Sequence, residues 1–146
     1  GVKVIIDYAH TPDAYEKVLL NVKELNLNFK NLYVLFGAGG DRDKSKRKRM
    51  GSIVENFATH AFIVPDNPRT EDQVAIFKDI KSGFKKNNYT SFNDRDLGVK
   101  TVISNSKEND IVVILGKGRE NYQIIGKNKV YQSDLDIIKS HQWELT

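Results

Sequence analysis

A chain of 146 residues with a formal net charge of +4 has the length of one domain and can bury a core of its own. Apolar residues make up 39% of it and charged residues 29%, the proportions of an ordinary soluble globular protein, and no apolar run reaches membrane-spanning length. The absence of cysteine excludes a disulfide framework, a thiolate metal site and a cysteine nucleophile.

The positive charge is spread along the chain except for one basic run, Lys44–Arg49. Interleaved surface aromatics of the RNA-binding kind are missing, so an anionic small molecule explains the charge as well as nucleic acid does. No signal-peptide pattern opens the sequence, and a cytoplasmic location is the default expectation.

Val2–Ile6 reads as a strand, nearly continuous in apolar residues and therefore expected to be buried on both faces. Opening directly on a strand suggests the start of a domain. The strand ends in Asp7-Tyr8-Ala9-His10-Thr11-Pro12-Asp13, where Thr11 suits an N-cap and Pro12 the first helical position. The helix is expected to run to about Leu25, with Ala14, Val18, Leu19, Val22 and Leu25 as its apolar stripe. Leu32–Phe36 is a second strand, broken by Gly37, Gly39 and Gly40 and followed by Asp41-Arg42-Asp43-Lys44 and a basic helix through Met50, Ile53, Val54 and Phe57. Ala61–Val64 is a third strand, ending in Pro65-Asp66-Asn67-Pro68-Arg69-Thr70. A helix with Val74, Ile76, Phe77, Ile80 and Phe84 as its stripe comes next, then a weaker strand Tyr89–Phe92 and a helix Asp94–Ser106. Ile111–Leu115 is the most hydrophobic strand and ends in Gly116-Lys117-Gly118-Arg119-Glu120. Lys127-Asn128 looks like the turn of a small hairpin joining Tyr122–Ile125 to Lys129–Tyr131, and Ser133 caps a last helix, Asp134–Ser140.

Strand and helix alternate throughout, which predicts one α/β domain over residues 1–146: a mostly parallel sheet, helices on both faces, and a closing hairpin that adds an antiparallel edge strand. In a parallel sheet the four polar strand ends share one edge, so Asp7/His10, Asp41/Arg42, Asp66/Asn67/Arg69 and Lys117/Arg119/Glu120 would converge.

Each tip has a plain structural account beside a functional one. The glycines after Phe36 let backbone amides approach a ligand, or they make a tight strand-to-helix turn. Pro68 is expected to push Asn67 into an extended conformation, giving a stiff loop that aims the Arg69 fork at a carboxylate; turn chemistry alone also explains Asn-Pro. Glu120 could accept from a ligand ammonium or pair with Lys117 or Arg119. Asp7 ends a buried strand and needs a partner. Gly-Lys-Gly is not a phosphate-binding P-loop, and no such loop occurs anywhere in the chain. With only His10, His60 and His141 and no paired spacing, a metal site is not expected. His60 and His141 read as structural or solvent-exposed.

Together the stretches Asp7–Ala14, Gly37–Arg47, Asp66–Glu71 and Gly116–Gln123 resemble, in order and spacing, the C-terminal domain of the Mur ligase family. The branch that adds the third residue of the peptidoglycan stem peptide is the nearest. The resemblance implies a Rossmann-like fold and membership of an ATP-dependent ligase that joins an amino acid to a UDP-N-acetylmuramoyl dipeptide through an acyl phosphate. It implies that Arg42, Asp66, Asn67 and Arg69 bind the amino acid's polar groups, the two arginines and Asn67 taking its carboxylates. Gly116 and Glu120 would hold the ammonium group, and Asp7, Tyr8 and His10 would face the nucleotide. Asn-Pro-Arg implies meso-diaminopimelate rather than lysine, with meso-lanthionine equally compatible. Arg119 stands where the family usually has His. ATP and magnesium would be bound mainly by a central domain that, like the UDP-sugar domain, is not in this sequence, so the chain is expected to fold but not to ligate. No residue here resembles a general base or nucleophile, and neither a membrane nor nucleic acid is an implied partner. Two other readings stay open: a stand-alone nucleotide- or amino-acid-binding module, and a related ligase such as a folylpolyglutamate synthetase.

Overall fold

The computed structural model describes residues 2–25, 28–118, 120, 122–125, 128–131 and 133–144, the side chains of 122–131 and 140–144 excepted. Arg119, Lys127 and the side chain of His141, singled out above, lie outside the described residues.

Five parallel strands form the sheet: β1 (Lys3–Asp7), β2 (Leu32–Phe36), β3 (His60–Ile63), β4 (Tyr89–Ser91) and β5 (Ile111–Leu115), in the order β1-β5-β2-β3-β4. The helices are α1 (Pro12–Glu24), α2 (Ser45–Phe57), α3 (Gln73–Lys81), α4 (Arg95–Asn105) and α5 (Asp134–Glu144). Side chains alternate across each strand. Val34, Phe36, Ile63, Val113 and Leu115 meet Leu19, Met50, Val54 and Ile80 from α1, α2 and α3. Leu35, Phe62, Val112 and Ile114 face the other way, onto Val99 and Val102 of α4 and Ile137 and Ile138 of α5.

All five residues of β5 are buried, as its composition suggests, because it lies between β1 and β2. The expectation for the first strand is corrected: β1 is mostly half-buried, since it is the edge strand and has a neighbour on one side only. The hairpin is present as β6 (Tyr122–Ile125) and β7 (Asn128–Tyr131), but it forms its own two-stranded sheet instead of extending the main one. Val74 is 69% exposed and leaves the α3 stripe, because the helix starts at Gln73 and this first-turn residue overhangs the core.

Helix starts follow the sequence. Thr11 Oγ1 accepts from Ala14 N at 3.2 Å and Pro12 occupies the first turn of α1. Asp72 and Asp94 cap α3 and α4 through the N–H groups of Val74 and Asp96. The first turn of α2 differs: Lys44 makes no side-chain cap, and Asp43 Oδ1 takes both N–H and Oγ–H of Ser45, at 2.9 and 2.6 Å.

The chain crosses from β1 over β5 to β2, so the tips of β1, β5, β2 and β3 lie side by side. The strand order reverses around β5. That is where open α/β sheets leave a crevice for ligands.

Candidate functional site at the strand tips

A cavity of about 500 Å³ opens at this edge. It brings together Tyr8, His10, Arg42, Asp66, Asn67, Arg69, Gly116 and Glu120, so loops up to 112 residues apart in sequence meet there. Asp7 does not line it. Its carboxylate turns back on its own loop, accepting from Ala9 N at 2.8 Å. Tyr8 is 54% exposed and lies edge-on to the His10 ring with centroids 5.0 Å apart.

The β2 and β3 tips interlock backbone to backbone. A Cβ on Gly37 would sit 2.1 Å from the Val64 carbonyl oxygen, and one on Gly40 1.8 Å from that of Pro68. Gly40 N donates to Asn67 O at 2.9 Å. Glycine at 37 and 40 therefore admits a neighbouring loop, while the backbone of Gly37, Ala38 and Gly39 also lines the cavity. Asp41 continues the lock: its Oδ2 accepts from Thr70 N at 3.1 Å and Thr70 Oγ1 at 2.6 Å, bonds that hold its carboxyl below the usual range.

Asn67 is not extended. Its φ is 45° and that of Arg69 is 52°, so left-handed residues flank Pro68 on both sides. Pro68 still forbids an ordinary helical turn at Asn67, and asparagine is among the residues that best tolerate the left-handed well. For Arg69 that well is unusual and costs on the order of 1–3 kcal/mol. The conformation is held by the side chain itself: Arg69 Nη1 donates to Gly40 O at 3.0 Å and to Asn67 O at 3.2 Å. The guanidinium is thereby fixed, as the sequence predicts, through a different backbone shape. Its other donors make no hydrogen bond to the described residues. Arg42 is exposed at the rim.

At the β5 tip Gly116 has φ 104° and Gly118 φ 54°. A Cβ on Gly116 would lie 2.7 Å from Asp66 Oδ2, and one on Gly118 3.0 Å from Tyr8 Cβ. Between them Lys117 is 2% exposed. Burial pushes its ammonium pKa down and Arg95 adds to this, while Asp134, Asp66 and Glu120 oppose it. Glu120 thus faces both the cavity and a buried cation.

The sequence matches the family described as Mur ligase, glutamate ligase domain, over residues 1–118. The chain belongs to this family. A UDP-N-acetylmuramoyl-L-alanyl-D-glutamate--2,6-diaminopimelate ligase of Wigglesworthia glossinidia brevipalpis is 49% identical over 138 residues, covering 93% of this chain and 27% of its own length. The same-named protein of Rickettsia felis is 46% identical over 136 residues, covering 93% of this chain and 26% of its own. A solved structure titled with that ligase name superposes with a TM-score of 0.91 at 38% identity, across 97% of this chain and 29% of its own. The chain thus spans a little over a quarter of the length of these relatives.

Reading motifs alone missed several residues that build this edge of the Mur ligase domain. The run Lys44–Arg49 reads as a solvated basic patch, yet Arg47 is 1% exposed and lines the cavity. Its guanidinium forks onto Glu71 at 2.6 and 2.8 Å and also donates to Asp79 Oδ2 and Gly39 O. Arg95 and Asp134 form a second buried pair, and Tyr15 donates to Gly37 O at 3.3 Å from beneath the cavity floor. A signal for the two arginines exists in the spacing. Arg47, Met50 and Val54 fall on one face of α2, and Arg95, Gly98, Val99 and Val102 on one face of α4.

Proposed function

We propose that this chain is the amino-acid-receiving, C-terminal domain of an ATP-dependent ligase that joins meso-diaminopimelate, or a two-carboxylate analogue such as lanthionine, to UDP-N-acetylmuramoyl-L-alanyl-D-glutamate. One observation carries the reading. Arg42, Asn67 and Arg69 share a 500 Å³ cavity with Asp66, Glu120 and Gly116, which suits a ligand bearing both carboxylates and ammonium groups. The activity named for the relatives points the same way.

In this reading the Arg69 fork, held by two carbonyls, pairs with the distal carboxylate of the amino acid. Asp66 and Glu120 accept from its ammonium groups, and Arg42 closes the rim. The domain orients the attacking amine and supplies no group to the chemistry. Tyr8 and His10, exposed beside the cavity, would meet the nucleotide as a neighbouring domain closes. Magnesium and the ATP phosphates are assigned mainly to the central domain that the family resemblance implies.

Arg69→Ala in the parent ligase is expected to raise the apparent KM for diaminopimelate by roughly 10–100-fold, the worth of a charged hydrogen-bonded pair, with kcat little changed. A large fall in kcat at unchanged KM would sink the binding role. The reading as a whole is tested by incorporation with ATP, magnesium and the UDP-muramoyl dipeptide, offering diaminopimelate, lanthionine and lysine in parallel. Lysine has no distal carboxylate and would leave Arg69 unpaired in the pocket. Preference for lysine would require the pocket to be reassigned.

A further inference from the structure

Arg95 opens α4, on the face of the sheet away from α2 and α3, and is 3% exposed. Its Nε and Nη2 donate to Oδ1 and Oδ2 of Asp134, each at 2.7 Å, and its Nη1 donates to the Pro65 carbonyl oxygen at 3.0 Å. Asp134 is fully buried and is the first residue of α5, where Ser133 Oγ accepts from Asp136 N at 3.0 Å. Pro65 immediately precedes Asp66-Asn67-Pro68-Arg69.

The close approach has a visible cause. A Cβ on Gly98 would lie 2.3 Å from Val64 Cγ1, so glycine lets α4 press onto the end of β3. One turn earlier on that helix, Arg95 then reaches Pro65. A buried ion pair is a poor stabiliser, because desolvation offsets most of its attraction and apolar side chains often do as well. What the pair adds is direction: a planar fork fixed on one carboxylate leaves its third nitrogen a single place to point. Asp134 also comes from outside the part of the chain that matches the family, which ends at residue 118.

We infer that Arg95 and Asp134 are a positioning pair, through which α5 holds the loop bearing Asp66, Asn67 and Arg69 at the height the amino acid needs. This rests on the reading of the cavity as the amino-acid pocket. Neither residue lines the cavity, so the pair acts from behind the loop, through the bond to Pro65 and through the charge of Arg95 near Asp66.

The test compares the parent ligase with its Arg95→Met/Asp134→Leu form, which removes both charges and keeps apolar bulk. Asp134→Asn serves as a second, milder variant that keeps shape and loses the charge. Hydrogen exchange is followed at Gly40 and Glu71, whose N–H groups donate to the Asn67 and Pro68 carbonyls of the loop, at Thr70, whose N–H donates to Asp41 Oδ2 on the β2 tip, and at β5 as a reference. Faster exchange by about tenfold at those amides with β5 unchanged is expected, together with a KM for diaminopimelate raised by about tenfold and a KM for ATP within about twofold of the parent. Asp134→Asn is expected to shift both readouts in the same direction by less. Unchanged exchange in the double variant overturns the inference whatever the substrate, and so does a KM that rises equally for ATP. Faster loop exchange in a ligase that never accepts diaminopimelate upholds the positioning pair and overturns the substrate reading alone.

Discussion

Arg47→Met is expected to destabilise the domain by about 3 kcal/mol at neutral pH, the low end of what removing one partner of a buried pair costs. Methionine can fill the stem's place, so the loss comes from the carboxylates left behind. Glu71 has a side chain only 10% exposed and would retain Asp41 N at 3.0 Å and the distant Lys44 Nζ at 3.9 Å. The low end is expected because Lys44, with a 67% exposed side chain, is free of packing that would stop it moving in, and Asp79 is 41% exposed. The pH dependence identifies the mechanism. Hydrogen bonding to Arg47 holds the Glu71 carboxyl at about 2, from an ordinary 4.5. A depressed carboxylate contributes fully above its unfolded value and loses that contribution as pH falls toward its folded one. The gap between parent and variant in urea unfolding should therefore be full above about pH 5 and shrink as the pH is lowered toward about 2. A gap that does not change with pH would mean that Arg47 acts by packing alone. Glu71→Gln should show the complementary result, with little acid sensitivity of its own.

The α/β alternation and the convergence of four loops were legible because they depend on hydrophobic period and chain direction, which are local properties. The conformation of Asn67 was not. A rule about the residue before proline describes the isolated dipeptide, whereas here Gly40 N and Arg69 Nη1 both bond to Asn67 O and select a left-handed backbone. The interlock at the β2 tip was not legible for the same reason: the atom that excludes a Cβ at Gly40 belongs to Pro68, 28 residues on. Arg47 and Arg95 show a limit of another kind. Both stand on the apolar face of their helices, but their partners Glu71 and Asp134 lie 24 and 39 residues away, and spacing within a helix names a buried cation without naming what neutralises it. The burial of Lys117 was not legible because flanking glycines carry no side chain whose pattern could mark the position as buried.

The interlock of the two loops makes a sharp contrast between adjacent glycines. Gly40 has an ordinary φ, so alanine there meets no backbone strain and its effect is steric alone. Its Cβ would lie 1.8 Å from Pro68 O and 2.5 Å from Pro68 C, both backbone atoms. Neither side can yield cheaply, since Gly40 N–Asn67 O and Arg69 Nη1–Gly40 O tie the loops at that point. Gly40→Ala is expected to cost about 3 kcal/mol or more, beyond a usual surface substitution and at the upper end of overpacking. On the proposed reading of the cavity it should also abolish binding of the amino acid even where the domain stays folded, because the loops can separate only by releasing Arg69. At Gly39 the nearest atom to an added Cβ is Arg69 Nη1 at 3.1 Å, the end of a side chain that can shift by a few tenths of an ångström. Gly39→Ala should therefore cost less than about 1 kcal/mol. Were the glycines there to admit a ligand and not a neighbouring loop, neither substitution would lower stability in the unliganded protein, and both would weaken binding alike. Thermal unfolding of the two variants without ligand separates these accounts. The interlock requires Gly40→Ala to fall well below Gly39→Ala before any substrate is added.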